Sequence, residues 1–192
     1  MDTDALSGGF QNAPVQSANV FRSIMNAMAR PGVIQTIDCT SPPIGLSPAA
    51  GTMLLTLCDP ETPVYLAGGL DNRIIRDWLT FHTGAPLVGA KDAVFAVGLW
   101  NALMPITRFA IGTEQYPDRS TSLIVESSSL SNTGVVLSGP GIQQTVQFAL
   151  PAVDPFKRNA ALFPLGCDFY FTADTQIAAL PRTTQVEEMS CM

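Results

Sequence analysis

Ala93-Val94-Phe95-Ala96-Val97-Gly98-Leu99-Trp100-Asn101-Ala102-Leu103-Met104-Pro105-Ile106 is the longest nearly apolar stretch of the chain. Lys91-Asp92 and Arg108 bound it and Asn101 interrupts it, so it falls well short of the ~20 residues needed to cross a bilayer. It is core, and no membrane partner is expected. Val94–Leu99 reads as a strand that is apolar at successive positions, which requires a sheet covered on both faces. Ser122–Glu126 and Val135–Leu137 read the same way. Val135–Leu137 runs into the turn Ser138-Gly139-Pro140-Gly141.

Upstream, helices alternate with strands. Phe21, Ile24, Met25 and Met28 recur at i, i+3, i+4, i+7, one face of an amphipathic helix that Ser17 or Asn19 can cap and Pro31-Gly32 stops. Val33–Ile37 reads as a strand. Pro48–Cys58 reads as a buried helix closed by Asp59-Pro60, and Pro63–Ala67 as a second strand. A helix beginning at Asp71 places Ile74, Ile75, Trp78 and Leu79 inward and pairs Arg73 with Asp77 outward, ending near His82-Thr83-Gly84. Downstream, Asp154–Phe163 is a short helix capped by Asp154, and Cys167–Thr172 a strand after Pro164-Leu165-Gly166. The interleaving implies an α/β fold. Residues 1–192 read as one domain, with 1–12 and 186–192 as loose ends.

The chain has 192 residues, 46% hydrophobic and 14% charged, with a formal net charge of −6. Lys91 and Lys157 are its only lysines, so a nucleic-acid backbone is excluded as the main partner. Met1-Asp2-Thr3-Asp4 lacks the basic flank of a signal peptide, which points to a cytoplasmic protein. Cys39, Cys58, Cys167 and Cys191 stand singly without C-x-x-C, and His82 is the lone imidazole. That set provides no metal site.

Gly84–Asp92 imitates a phosphate-binding loop and fails, because Ala90 separates Gly89 from Lys91 and Asp92 would repel phosphate. No G-x-S-x-G supplies a nucleophilic serine. His82, at a helix end, reads as a hydrogen bonder of the last turn, as part of a ligand or partner surface, or as a general base. Arg73 and Arg76 on the same helix read as a solvated face or as oxyanion ligands. Arg182-Thr183-Thr184 offers a guanidinium and two hydroxyls, to hold an oxyanion or to tie down the C-terminal segment. Gly139-Pro140-Gly141 reads as a tight turn or as an anion nest. Glu187-Glu188 lacks the clustered oxygens of a metal site.

Five stretches, in order, resemble one family: Phe21-Arg22 through Ala29-Arg30-Pro31-Gly32, Phe81-His82-Thr83-Gly84-Ala85-Pro86-Leu87, Leu137-Ser138-Gly139-Pro140-Gly141-Ile142, Phe163-Pro164-Leu165-Gly166-Cys167-Asp168 and Leu180-Pro181-Arg182-Thr183-Thr184. The family is PhnH, the H subunit of the bacterial carbon–phosphorus lyase system for phosphonate breakdown. The resemblance implies a three-layer α/β/α sandwich with a central mixed sheet, similar to the large domain of pyridoxal-phosphate-dependent transferases but without the cofactor. It implies a homodimer in isolation and a core complex with G, I and J subunits. That complex forms ribose 1-alkylphosphonate 5-triphosphate from ATP and an alkylphosphonate. The role it implies here is binding and assembly, with His82, Thr83, Arg182, Thr183, Thr184 and Arg22 as ligand or partner surface. The alternative is a stand-alone enzyme acting on a phosphorylated metabolite with His82 as acid/base. No pyridoxal phosphate is expected, since neither Lys91 after the Gly89 turn nor Lys157 beside Arg158 has the setting of a Schiff-base lysine.

Overall fold

The computed structural model describes residues 6–188, so the expectations for Cys191 and for the outermost parts of both ends lie outside the described residues. The elements are α1 (Ala13–Ala29), β1 (Gln35–Thr36), α2 (Pro48–Leu57), β2 (Val64–Leu66), α3 (Arg73–Thr83), β3 (Phe95–Leu99), α4 (Trp100–Leu103), β4 (Ser122–Glu126), β5 (Val135–Ser138), β6 (Val146–Phe148), α5 (Asp154–Ala160), β7 (Asp168–Ala173), β8 (Gln176–Leu180) and β9 (Gln185–Glu187). Six strands form the central sheet in the order β1-β8-β7-β4-β3-β2. β2, β3, β4 and β7 run parallel, while β8 is antiparallel to β7 and β1 to β8. The sheet is therefore mixed.

Alternate residues of each central strand enter different cores, as the two-residue side-chain period dictates. Val97, Ile124, Tyr170, Ile177 and Ala179 meet Ile24 of α1, Met53 and Leu54 of α2, and Ile75, Trp78 and Leu79 of α3. Leu123, Val125, Phe169, Phe171 and Leu180 meet Leu103 of α4, Phe156 of α5 and a second, antiparallel sheet ordered β6-β5-β9. Both faces of the sheet are covered. The outer layer on this second side departs from the expected α/β/α sandwich: α4 and α5 are too short to span it, and Leu137, Phe148 and Val186 of the small sheet complete it.

The apolar stripe of α1 is displaced from the expected one. Val20, Ile24 and Ala27 are buried, while Phe21 and Met25 stand 47% and 50% exposed. Two stripes overlap on this helix, and the one carrying the small Ala27 lets α1 approach α2 and β8 closely. α1 also starts before Ser17 and Asn19, with a proline in its first turn. On α3 the cap is Asn72, whose Oδ1 accepts from Ile75 N at 3.1 Å, and Ile74 faces outward. The Arg73–Asp77 pair forms as expected, at 3.6 Å. Gly84 ends α3 with φ 69°, a conformation in which a side chain would be strained. Asp154 opens the first turn of α5 without capping it, and the helix ends at Ala160. The ends are held where the structure describes them: residues 186 and 187 belong to β9, and Gly8 O accepts from Ser41 N at 2.8 Å.

Glu126 closes β4 and fixes the start of α2. Its Oε1 accepts from Ser47 N at 2.7 Å and its Oε2 from Thr172 Oγ1 at 3.0 Å, while Ser47 Oγ caps the helix through Ala50 N. Burial raises the Glu126 pKa above the ordinary carboxylate value despite these bonds. A carboxyl with a raised folded-state pKa stabilises the fold at low pH, and that contribution is lost as pH rises through the raised value. Glu126→Gln keeps an acceptor for Ser47 N and an amide donor for Thr172. The variant should match or exceed the wild-type melting temperature at pH 8, with its advantage shrinking toward pH 4.5; a wild-type advantage that widens with pH would contradict this account.

Candidate functional site

Arg182 lies just beyond β8, whose register sets Leu180 against Phe169 and so brings the next turn over Asp168. Asp168 Oδ1 accepts from the Arg182 backbone N at 2.8 Å and from Nε at 3.1 Å, and Oδ2 accepts from Nη2 at 2.5 Å. Nη1 donates to Pro117 O at 2.8 Å and Pro164 O at 3.4 Å, and Nη2 also donates to Ser120 Oγ at 2.5 Å. All five guanidinium N–H groups are thereby engaged within the protein. Of the two readings of this residue, the geometry matches the tether. Thr183 is half-buried, and Thr184 is buried with its N bonded to Pro181 O at 3.0 Å, so the triplet is the turn that sends the chain into β9.

The other candidates lie elsewhere. His82 Nε2 donates to Ser7 O at 3.3 Å, sharing that carbonyl with Trp78 Nε1 at 2.9 Å. Its ring sits 5.1 Å from Trp78 and 5.0 Å from Phe81, centroid to centroid. A Cβ at Gly9 would fall 2.5 Å from His82 Cε1, so the N-terminal segment lies directly on the imidazole. Thr83 Oγ1 donates to Leu79 O at 2.7 Å and accepts from Ala85 N at 3.0 Å, a local helix-end role. Arg22 is exposed and, among the described residues, bonds only Asn19 on its own helix, at 3.1 Å. Arg73 and Arg76 pair with Asp77 and Asp71. His82 and Arg182 both lie toward the N-terminal edge of the parallel strands, but β2 and β7 are three strand spacings apart, about 14 Å. They do not form one site.

The structure gathers four of the five family-like stretches at one place. Gly32 N, just past α1, donates to Ala179 O at 3.2 Å. Gly141 packs on that corner so tightly that a Cβ there would lie 2.2 Å from Ala29 O, and a Cβ at Gly139 would lie 3.2 Å from Thr183 O. Gly139-Pro140-Gly141 is thus a packed turn and not an open nest. Beside it, buried Asn159 of α5 clamps the Cys167 backbone, Nδ2 donating to Cys167 O and Oδ1 accepting from Cys167 N, each at 2.8 Å. This clamp and the Arg182 bond to Pro164 O hold the loop that presents Phe163, 61% exposed.

A cleft of about 450 Å³ opens here between Met28, Phe163, Pro164 and Arg182, and a second of about 300 Å³ between Pro31, Gly141 and Val146. Met28 also continues the exposed flank of α1, since Phe21, Met25 and Met28 are neighbours at i, i+4 and i+7. The result is an apolar ridge running into an apolar cleft. Burial pushes the Cys167 thiol up to about 12, so it is no nucleophile, and among the described residues no group of three His, Cys, Asp or Glu side chains could hold a metal. Asp168, Asn159 and Phe163 were not singled out by residue chemistry; the signal for Asp168 and Phe163 was their place in a family-like stretch.

Comparison with known proteins decides the family. A family model described as bacterial phosphonate metabolism protein (PhnH) matches residues 8–187. The chain belongs to the PhnH family. Within and around this family, it is 40% identical over 190 residues to the alpha-D-ribose 1-methylphosphonate 5-triphosphate synthase subunit PhnH of Rhizobium meliloti (strain 1021), covering 94% of this chain and 95% of that protein. It is 29% identical over 181 residues to the putative C-P lyase subunit protein HtxG of Stutzerimonas stutzeri, covering 91% of this chain and 87% of that one. The PhnH match therefore takes in all five stretches, the four gathered around Arg182 and the one that packs on the N-terminal segment.

Proposed function

We propose that this PhnH-family chain is a subunit of a phosphonate-degrading carbon–phosphorus lyase system, required for forming ribose 1-alkylphosphonate 5-triphosphate and acting by binding and assembly. The observation that carries the reading is the convergence of four family-like stretches on one cleft flanked by exposed apolar side chains, with the Arg182 guanidinium engaged within the protein. Arg182 and Asp168, charges at its base, satisfy each other, and the apolar groups offered to a partner are Phe163, Met28 and Met25, with the exposed Asp118 at the rim. Such a surface has the aromatic and Met enrichment of an interface core. Both relatives are named as subunits, which supports the same role.

By the family resemblance, the partners are G, I and J subunits, and the isolated chain is a homodimer. The resemblance to the large domain of pyridoxal-phosphate-dependent transferases belongs to the same proposal, without the cofactor. Lys91 and Lys157 are both exposed, Lys91 on a one-turn segment and Lys157 on α5, and neither has the enclosure of a Schiff-base lysine. The geometry gives less support to His82 as an acid/base, since its Nε2 is bonded to Ser7 and its ring lies against Gly9. No helix among the described residues is long and apolar enough to cross a membrane.

Phe163→Ser and Met25→Ser test the surface. Both side chains are at least half exposed, so stability should change by no more than ~0.5 kcal/mol. Affinity for the co-purified partner subunits should fall roughly tenfold or more, as for central interface residues. Wild-type affinity in both variants would place the interface elsewhere.

A further inference from the structure

Phe81–Leu87 is the family-like stretch that the cleft at Arg182 does not absorb, and it continues a separate apolar surface on α3. Ile74 and Phe81 stand seven residues apart, on one side of the helix, and are 47% and 53% exposed. Before α3, the turn Pro43–Leu46, closed by Leu46 N donating to Pro43 O at 3.2 Å, carries Ile44 fully exposed at its tip. The turn is fixed against the helices behind it. A Cβ at Gly45, where φ is 107°, would lie 3.7 Å from both Ile75 Cδ1 and Leu70 Cδ2, and one at Gly51 of α2 would lie 2.7 Å from Pro42 Cγ. Ile44 and Ile74 line one hollow of about 280 Å³ with Ser7, Ser41, Pro42 and Pro43. Ser7 ties this hollow to the far half of α3, since its carbonyl accepts from Trp78 Nε1 and His82 Nε2.

Charge and shape together say what covers this surface. The chain has a formal net charge of −6, so two copies repel unless they meet where that charge is absent. None of the residues lining the hollow is charged. Over Asp71–Thr83 the charged residues pair off, Arg73 with Asp77 and Arg76 with Asp71, so the helix segment carries no net charge. The cleft beside Phe163 differs, because its lining sets Asp118 and Asp168 against the single cation Arg182. In an isologous contact a patch meets itself, and a charge near the two-fold axis faces its own copy. A neutral face therefore suits a second copy of the chain. Shape agrees: Ile44 is a knob standing beside a hollow on the same patch, so the knob of each copy can enter the hollow of the other. The uncharged cleft between Pro31 and Val146 lacks this pairing. Polar Gln143, Gln144 and Thr145 line it, and Val33 is its one exposed large apolar residue among the described residues.

We propose that Ile44, Ile74 and Phe81 form the contact through which two copies of this chain associate, α3 against α3 about a two-fold axis. The inference rests on the homodimer part of the reading above and gives that dimer its face. α2 packs against both α1 and α3, and no residue lines both the hollow at Ile44 and the cleft at Phe163. The dimer face and the partner face are thus separate, and self-association leaves Phe163, Met28 and Met25 open to the other subunits.

Light scattering on the isolated full chain over a dilution series reads the dimer, and co-purification with the partner subunits reads assembly. Ile44→Asp changes a fully exposed side chain and Ile74→Asp a half-exposed one, so both should melt close to the wild-type temperature. Their dimer dissociation constants should rise roughly a hundredfold or more, because an isologous contact counts each substitution twice and sets like charges near the axis. Partner binding should stay at the wild-type level in both. Phe163→Ser should do the reverse, keeping the dimer and losing the partners. Wild-type dimerisation in Ile44→Asp and Ile74→Asp overturns the proposed face while leaving the homodimer standing. So does a monomeric Phe163→Ser, or an Ile44→Asp chain that stays dimeric and loses its partners. A wild-type chain that is monomeric at every concentration overturns the face and the homodimer together, whereas a dimeric chain that binds no partner overturns the subunit reading alone.

Discussion

Asp168→Ala should destabilise the fold by about 3–5 kcal/mol, the largest single-residue effect foreseen for this chain. The Asp168 and Arg182 side chains are 23% and 11% exposed, so the pair is largely withdrawn from water. Removing the carboxylate leaves a guanidinium whose remaining partners, Pro117 O, Pro164 O and Ser120 Oγ, are neutral, and it also strips the Arg182 backbone N of its acceptor. A lost favourable pair would by itself cost much less; the unpaired buried charge makes the difference. Asp168→Leu combined with Arg182→Met should recover a substantial part of the loss, because no charge is then stranded. Urea denaturation of the single and double variants measures both. An Asp168→Ala change below about 1 kcal/mol would show that Arg182 finds water or another acceptor at no penalty.

Asn159→Ala should cost about 2–4 kcal/mol, because it orphans two buried backbone groups at once, the N–H and the carbonyl of Cys167. Asn159 acts as a strand would, pairing both groups where β7 has not yet begun, and Gly166 lies against it with its would-be Cβ 3.0 Å from Oδ1. Asn159→Asp keeps the acceptor and replaces the donor with a charged oxygen facing a carbonyl, so it should be no better than alanine at neutral pH. Hydrogen exchange localises the effect: the Cys167 amide should lose its protection in Asn159→Ala while the amides of β4 keep theirs. Unchanged protection at Cys167 would mean that the clamp is dispensable for the loop carrying Phe163.

These two clamps also mark where reading the sequence stopped. Ser122–Glu126 matches β4 residue for residue, and the apolar run around Phe95–Leu99 announces a doubly covered strand, because such runs have few other stable settings. β8 left no comparable trace: Gln176-Ile177-Ala178-Ala179-Leu180 is rich in alanine, a weak strand former, and its neighbours choose its conformation. β6 and β9 are three residues each, too short for a period to register. On α1 the apolar residues fill two overlapping stripes, and only packing against α2 and β8 separates the buried Val20 and Ala27 from the exposed Phe21 and Met25.

The candidate site was legible in parts. Arg182 could be read as oxyanion ligand or tether, but the choice depends on Asp168 at the start of β7 and on Pro117 and Ser120 in the loop before β4, two segments distant from it in sequence. The family-like stretches were legible one by one. That four of them meet while Phe81–Leu87 packs instead on Ser7–Gly9 follows only from the chain's path.

The most direct measurement of the subunit reading is co-expression of this chain with G-, I- and J-type subunits, followed by size-exclusion chromatography with light scattering. The account predicts a stable hetero-complex that contains this chain, loses it with Phe163→Ser, and forms ribose 1-alkylphosphonate 5-triphosphate from ATP and an alkylphosphonate only when the chain is present. A chain that elutes apart from the other subunits, while they carry out the reaction equally well without it, would contradict the account.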